Sequence, residues 1–274
     1  GVGSGLGALK AEVDGNEITT GDSVEQGKSV VFTAEPAEGY VLEQWTNGGT
    51  AITEAGTDKT YTHTVTANAD IKVKFQAPFV EGGASLILSP DKLTIKVKAV
   101  TSDGSAVAVE GCTETTLASS NSTYTVLHAK GTVVILKGKI IELYCGAYEY
   151  NGSYNNIQNK LTALNVQGLN ALQRLSCDHN QLTALNMQGC TALKELICYQ
   201  NKLNADVFTK LLNDLPTREV SDGAEAVLYK DRTVYEDNCT DFTQPESLKK
   251  AFEGAKAKHW KLQKAGHFGF GIDI

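Results

Sequence analysis

The sequence predicts two domains, a small β-rich module followed by a short solenoid of stacked repeats with a β cap before it and an α/β cap after it. Three observations carry this expectation. A length of 274 residues is more than one ordinary core needs. The first 77 positions are rich in Gly, Thr and β-branched residues, set in short alternating runs broken by turn dipeptides, the pattern of strands. The stretch 139–203 repeats itself at a shift of 21 residues, and a fixed period of that length marks stacked supersecondary units. Composition agrees with packed domains: 41% hydrophobic and 21% charged residues are ordinary for a chain that builds a core. The formal net charge of −7 supplies no positive field for phosphate backbones or anionic lipid, so neither nucleic acid nor a membrane surface is an expected partner. No apolar run approaches the roughly 20 residues that cross a bilayer.

In the first module, Leu9 to Val13 alternates and meets Asp14-Gly15, a hairpin-turn pair. Val30 to Ala34 follows Gly27 and stops at Pro36, because a proline cannot continue a ladder. Tyr40 to Trp45, Tyr61 to Val65 and Ile71 to Phe75 supply three more segments. Tyr40 and Trp45 are expected inside, since a small sheet needs large aromatics to bury enough area. The run from Gly27 through Gly39-Tyr40 to Trp45, with the closing Ala69 to Phe75, resembles the divergent internalin B-type repeat, a β-grasp-like module of bacterial surface proteins. The resemblance implies a spacer or adhesion unit without catalysis. Gln76 to Ala84 combines a proline with paired glycines and has no period, which puts the boundary there and makes the domains 1–77 and 84–274.

Leu161-Thr-Ala-Leu164-Asn-Val166 recurs as Leu182-Thr-Ala-Leu185-Asn-Met187, and the same shift takes Leu175 to Leu196, Cys177 to Cys198 and Asn180 to Asn201. An earlier copy contains Leu143 and Cys145, separated from the next by an insertion at 146–160. The spacing resembles the leucine-rich repeat, in a filling similar to surface proteins of Bacteroides-type bacteria, and implies a solenoid over 139–203. Each copy is expected to give one strand, Glu142 to Gly146, Arg174 to Asp178 and Glu195 to Tyr199, parallel and about 4.8 Å apart. The leucines and cysteines then point inward, because residues two apart share a face. Asn180 and Asn201 fall where the chain leaves the strand and can serve loop backbone groups. Residues 84–138 read as a β cap. The C-terminal cap, 204–274, holds a helix begun by Asn204 and ended by Pro216, a strand at Ala226 to Tyr229, and a helix opening on the capping-box spacing of Thr243 and Glu246.

Catalytic chemistry is not expected. Three cysteines at ladder positions would lie along a line about 10 Å long, whereas zinc gathers thiolates about 3.8 Å apart. Side chains on adjacent parallel strands also run side by side, the wrong vector for a disulfide. No metal and no cofactor is therefore predicted, and Cys145, Cys177 and Cys198 are expected as buried thiols. His179 and Asp178 should face away from Cys177 and share no proton with it. The glycines at 3, 5 and 7 lack the strand and helix of a phosphate loop. Asn121, Asn151 and Asn238 head glycosylation sequons in form only.

What remains is surface. Between the inward positions the strands should present Glu142, Arg174 and Glu195 in one row, Tyr144, Ser176 and Ile197 in the next, and Gly146, Asp178 and Tyr199 in the third. Tyr144, Ile197 and Tyr199 beside Arg174, Asp178 and Glu195 have the composition of a contact patch, with Tyr148, Tyr150 and Tyr154 of the insertion close by. The expected function is a non-enzymatic adhesion or binding protein that recognises a host or bacterial surface protein on the concave face. A glycan ligand and a spacer without ligand are the alternatives. The opening Gly1 to Lys10 lacks the charged and apolar regions of an export signal, so an extracellular or surface-anchored location, and a lipid-anchored or secreted precursor, follow from the resemblance. The chain is expected to be a monomer.

Overall fold

The computed structural model describes residues 6–147, 158–230, 238–266 and 271–274. The chain forms two compact units, 1–78 and 79–274.

Among the described residues the first unit has seven strands: β1 (Gly7–Val13), β2 (Asn16–Glu17), β3 (Ser29–Pro36), β4 (Val41–Asn47), β5 (Thr50–Ala51), β6 (Thr60–Thr64) and β7 (Ile71–Gln76). They pair as two sheets, β2-β1-β3-β6 and β5-β4-β7. Asp14 and Gly15, at φ 50° and 79°, make the turn that lets β2 fold back on β1, since positive φ at both central positions matches the twist of a tight hairpin. Trp45 is fully buried among Ala34, Leu42, Ile52, Ala55, Ile71 and Phe75, with Tyr40 and Tyr61 packed against that group. Its indole N–H donates to the Asp58 carbonyl at 2.8 Å, which removes the cost of burying the polar edge of the ring.

The second unit contains β8 (Gly83–Leu88), β9 (Thr94–Thr101), β10 (Val107–Glu110), β11 (Thr116–Leu117), β12 (Thr125–His128), β13 (Val133–Lys137), β14 (Ile140–Tyr144), β15 (Leu161–Asn165), β16 (Arg174–Ser176), β17 (Ala184–Asn186) and β18 (Glu195–Ile197). Helix α1 (Ala205–Asp214), β19 (Glu225–Lys230), helix α2 (Glu246–Ala257), β20 (Lys261–Ala265) and β21 (Gly271–Asp273) follow. Here the expectation of a short leucine-rich-repeat solenoid between a β N-cap and an α/β C-cap is corrected. The strands belong to two mixed sheets, ordered β11-β10-β13-β8-β15-β17 and β12-β9-β14-β16-β18-β19-β20-β21.

The reason lies in the repeat itself. Glu142, Arg174 and Glu195 do stand in parallel register on β14, β16 and β18. The Leu-Thr-Ala-Leu-Asn filling, however, also extends into strands, and β15 pairs with β17 in parallel at Leu164 and Leu185. Each copy thus feeds two sheets. Antiparallel neighbours continue both: β9 pairs with β14, and β8 with β15. Strands expected as a separate cap are integral members of the same sheets, with one core between them. Leu143, Leu175 and Leu196 meet Leu86, Leu164 and Leu185 there, with Phe208 and Leu211 of α1 and Phe252 of α2.

Helix α1 begins as the sequence predicts, the Asn204 side chain accepting from the Val207 N–H at 3.0 Å, which satisfies a first-turn donor. The capping box expected of α2 does not form. Pro245 occupies the cap position and no side chain caps the helix; Thr243 lies two residues ahead of the cap, its hydroxyl donating to Asp241 at 2.6 Å.

Candidate functional site

Four asparagines organise the edge where the parallel strands of the larger sheet end. The Asn180 carbonyl accepts from the Leu161 N–H at 3.0 Å while its amide donates to the Cys145 and Cys177 carbonyls, each at 3.1 Å. One period on, Asn201 accepts from Leu182 at 3.0 Å and donates to Cys177 at 3.0 Å and Cys198 at 2.9 Å. Asn159 and Asn238 do the same work at the ends of the row, Asn159 on Lys96 and Cys145, Asn238 on Leu203, Cys198 and Leu228. The middle two amides therefore tie consecutive copies together, and the outer two tie the row to β9 and β19, through groups no ladder serves. Only the middle two are expected from the leucine and cysteine spacing. Asn159 precedes Leu161 as Asn180 precedes Leu182, so a shift of 21 finds it. Asn238 was hidden inside a sequon, and its burial at 6% exposure with its amide engaged leaves no nitrogen open to a sugar.

Cys145, Cys177 and Cys198 are thiols outside any disulfide, wholly buried behind this row. Burial pushes the Cys145 and Cys177 thiols well up, and the same cause takes Cys190 to about 12 and Cys112 to about 11. Thiols held protonated in this way are poor nucleophiles and poor metal ligands. Among the described residues no group of three or more His, Cys, Asp or Glu is placed to hold a metal ion.

On the opposite face of β14, β16 and β18 the structure corrects the predicted contact patch. Tyr144, Ile197 and Tyr199 lie on the expected side but are closed, at 8%, 7% and 2% exposure. Alternation decides which face a residue takes, not whether that face meets water. The β9–β14 register sets Lys98 opposite Tyr144, and the ammonium stands 4.2 Å from the centre of that ring. Ile197 and Tyr199 form an apolar cluster with Val227 and Ala265, and the His179 ring meets Tyr199 edge-on at 5.1 Å. Tyr148, Tyr150 and Tyr154 lie outside the described residues.

Asp178, predicted at the surface, is fully buried. Its carboxylate accepts from the Ser176 hydroxyl at 2.8 Å and meets His179 Nδ1 at 2.6 Å. Gly146 makes room for it, because a Cβ there would strike the carboxylate. Ser176, Asp178 and His179 are residue types of a hydrolase, yet Ser176 donates to the acid and not to the imidazole. The base that should take its proton is on the far oxygen.

Arg174, Glu142 and Glu195 remain accessible in part. The Arg174 Nε lies 3.2 Å from Glu195 and an outer nitrogen lies 3.9 Å from Glu142, with two-fifths of the arginine side chain exposed. Tyr144 donates to Glu142 at 2.8 Å, and burial, then this bond, holds the phenol well above its ordinary range. Glu195 is raised above the usual carboxylate range by burial, against the pull of Arg174, with Glu225 and Glu142 adding to the rise. The register continues the row to Glu225 and Lys261.

In the first unit a cleft of about 700 Å³ is lined by Lys10, Thr19, Asp22, His63 and Asp70 among others. Lys10 is engaged by Glu35, Asp22 by Thr19 and Asp70 by Lys72, so these three charged groups are held by neighbours rather than converging on the cleft.

Residues 8–78 match the model of the divergent InlB B-repeat domain. The match covers the first unit, in agreement with the resemblance read from Gly27 to Trp45. Neither a curated protein nor a solved structure matches the chain. No helix among the described residues is long and apolar enough to cross a membrane.

Proposed function

We propose that the chain is a non-catalytic binding protein of the cell surface or extracellular space, which recognises a protein partner at the charged row of the eight-stranded sheet. The observation that carries this reading is the alignment of Glu142, Arg174 and Glu195 across three parallel strands, with the guanidinium oriented by both carboxylates and two-fifths of its side chain exposed. An arginine fixed on a rigid sheet contacts a partner at low entropy cost, and Arg is prominent among residues that dominate protein interfaces. The match of residues 8–78 to the divergent InlB B-repeat domain supports the compartment. A glycan reading needs tyrosine faces open to a sugar, and the closure of Tyr144 and Tyr199 removes two of them.

The test is binding of the purified chain to arrays of extracellular proteins and glycans, followed by calorimetric titration of any protein hit. Arg174→Ala should weaken binding by about 1–2 kcal/mol and reduce its salt dependence. Unchanged affinity in Arg174→Ala, or hits on glycans alone, would overturn the reading.

A further inference from the structure

The edges of a sheet are where a chain can gain or must avoid a partner, because half of an edge strand's backbone groups have no ladder. In the first unit β2 and β5 are two residues long. Strand β7 carries Lys72 and Lys74 at exposed positions, the usual protection of an edge. The short edges β11, β12, β17 and β21 of the second unit span two to four residues. Strand β6 is different. It runs Thr60-Tyr61-Thr62-His63-Thr64 with no lysine, carboxylate, proline or glycine, and Thr60, Thr62 and Thr64 are exposed.

The direction of its backbone groups follows from the β3 register. The Ala34 N–H donates to the Lys59 carbonyl at 2.7 Å, and the Val65 N–H to the Lys28 carbonyl at 2.9 Å. Bonded and non-bonded pairs alternate along an antiparallel ladder. Tyr61 opposite Phe32 and His63 opposite Val30 are therefore the bonded pairs, and Thr60, Thr62 and Thr64 aim N–H and C=O away from β3. The other side of β3 agrees: the Ala37 N–H reaches Leu6, which turns Val31, Thr33 and Glu35 toward β1.

We propose that β6 is a self-association edge, pairing antiparallel with β6 of a second copy about a two-fold axis through Thr62. In that register Thr62 meets Thr62, and Thr60 meets Thr64, each residue donating and accepting one backbone bond. Tyr61 lies across from His63, and Lys59 from Val65, so no like charges oppose. Threonine pairs and aromatic pairs are favourable cross-strand neighbours, and a patch that complements itself is what a two-fold contact requires. The two β2-β1-β3-β6 sheets become one continuous sheet. This revises the expectation of a monomer and is independent of the partner-binding row.

Sedimentation of the full chain over about 1 µM to 1 mM should reveal a reversible dimer. Amide hydrogen exchange should slow at Thr60, Thr62 and Thr64 as concentration rises, while Tyr61 and His63, already bonded to β3, stay unchanged. Thr62→Lys should weaken association at least about tenfold by setting two ammonium groups across the axis. Thr62→Val, which preserves the backbone and the strand propensity, should dimerise as well as the parent. A chain that stays monomeric throughout overturns the proposal, including the case in which the edge serves an unrelated extended segment. So does a dimer whose Thr62 exchange ignores concentration, or one that Thr62→Lys leaves intact.

Discussion

The two units solve burial differently. Residues 1–78 gather a few large side chains around Trp45, whose single polar atom is satisfied by one carbonyl. Residues 79–274 stack equivalent small and medium side chains from successive copies, and hold the places where strands end with a row of asparagines. A core of one dominant aromatic loses much of its buried area to a single truncation. A stacked core spreads the apolar area over many residues, and concentrates its vulnerability in the polar groups that join one copy to the next.

That contrast can be broken most severely at Trp45. Trp45→Ala should cost about 4–5 kcal/mol, enough to abolish the melting of a unit this small, while calorimetry of the full chain still shows the transition of residues 79–274. Loss of both transitions would mean the units do not fold independently. The second unit should be hurt most by a polar change. Asn201→Ala strands the Leu182 N–H and deprives the Cys177 and Cys198 carbonyls of a donor, for about 3–4 kcal/mol by chemical denaturation.

Tyr199 sharpens the comparison, since it was expected at an open surface and is closed. Tyr199→Ala should destabilise the second unit by about 3 kcal/mol, where an exposed tyrosine would leave the midpoint almost unmoved.

The smallest effect concerns Glu195. Between the ordinary glutamate value and the raised native one, its native carboxyl keeps a proton that the unfolded chain has released, because burial raises it despite Arg174. Protons bound in the native state and not in the unfolded one make stability fall as pH rises from the ordinary glutamate range through the raised native value. Glu195→Gln should flatten that slope and melt no lower than the parent at pH 7. A variant less stable at pH 7 would show that the pairing with Arg174 outweighs burial.

Much of this was legible in the sequence, and the failures have a common cause. The period of 21 placed Leu175 beside Leu196 and Arg174 beside Glu195, as the ladders have them. It also contained Asn159, which lies one period before Asn180. The Leu161 to Asn165 segment carried its own alternation, but three or four residues of alternation do not announce which sheet will accept them. The candidate site was misjudged on accessibility: Tyr144, Asp178, Ile197 and Tyr199 took the predicted face, and that face is covered.

The sequence by itself determined the N-terminal module, the parallel register of the copies and the inward set of leucines and cysteines, because these depend on periods of 2 and 21 that neighbouring residues impose on one another. Only the tertiary structure decided that each copy feeds two sheets, that antiparallel strands extend both, and that Lys98 and the Val227 cluster close over the tyrosines. Those outcomes depend on which distant edge offers unpaired N–H and C=O groups to a strand. A local pattern says that such groups must be paired, and leaves open with what.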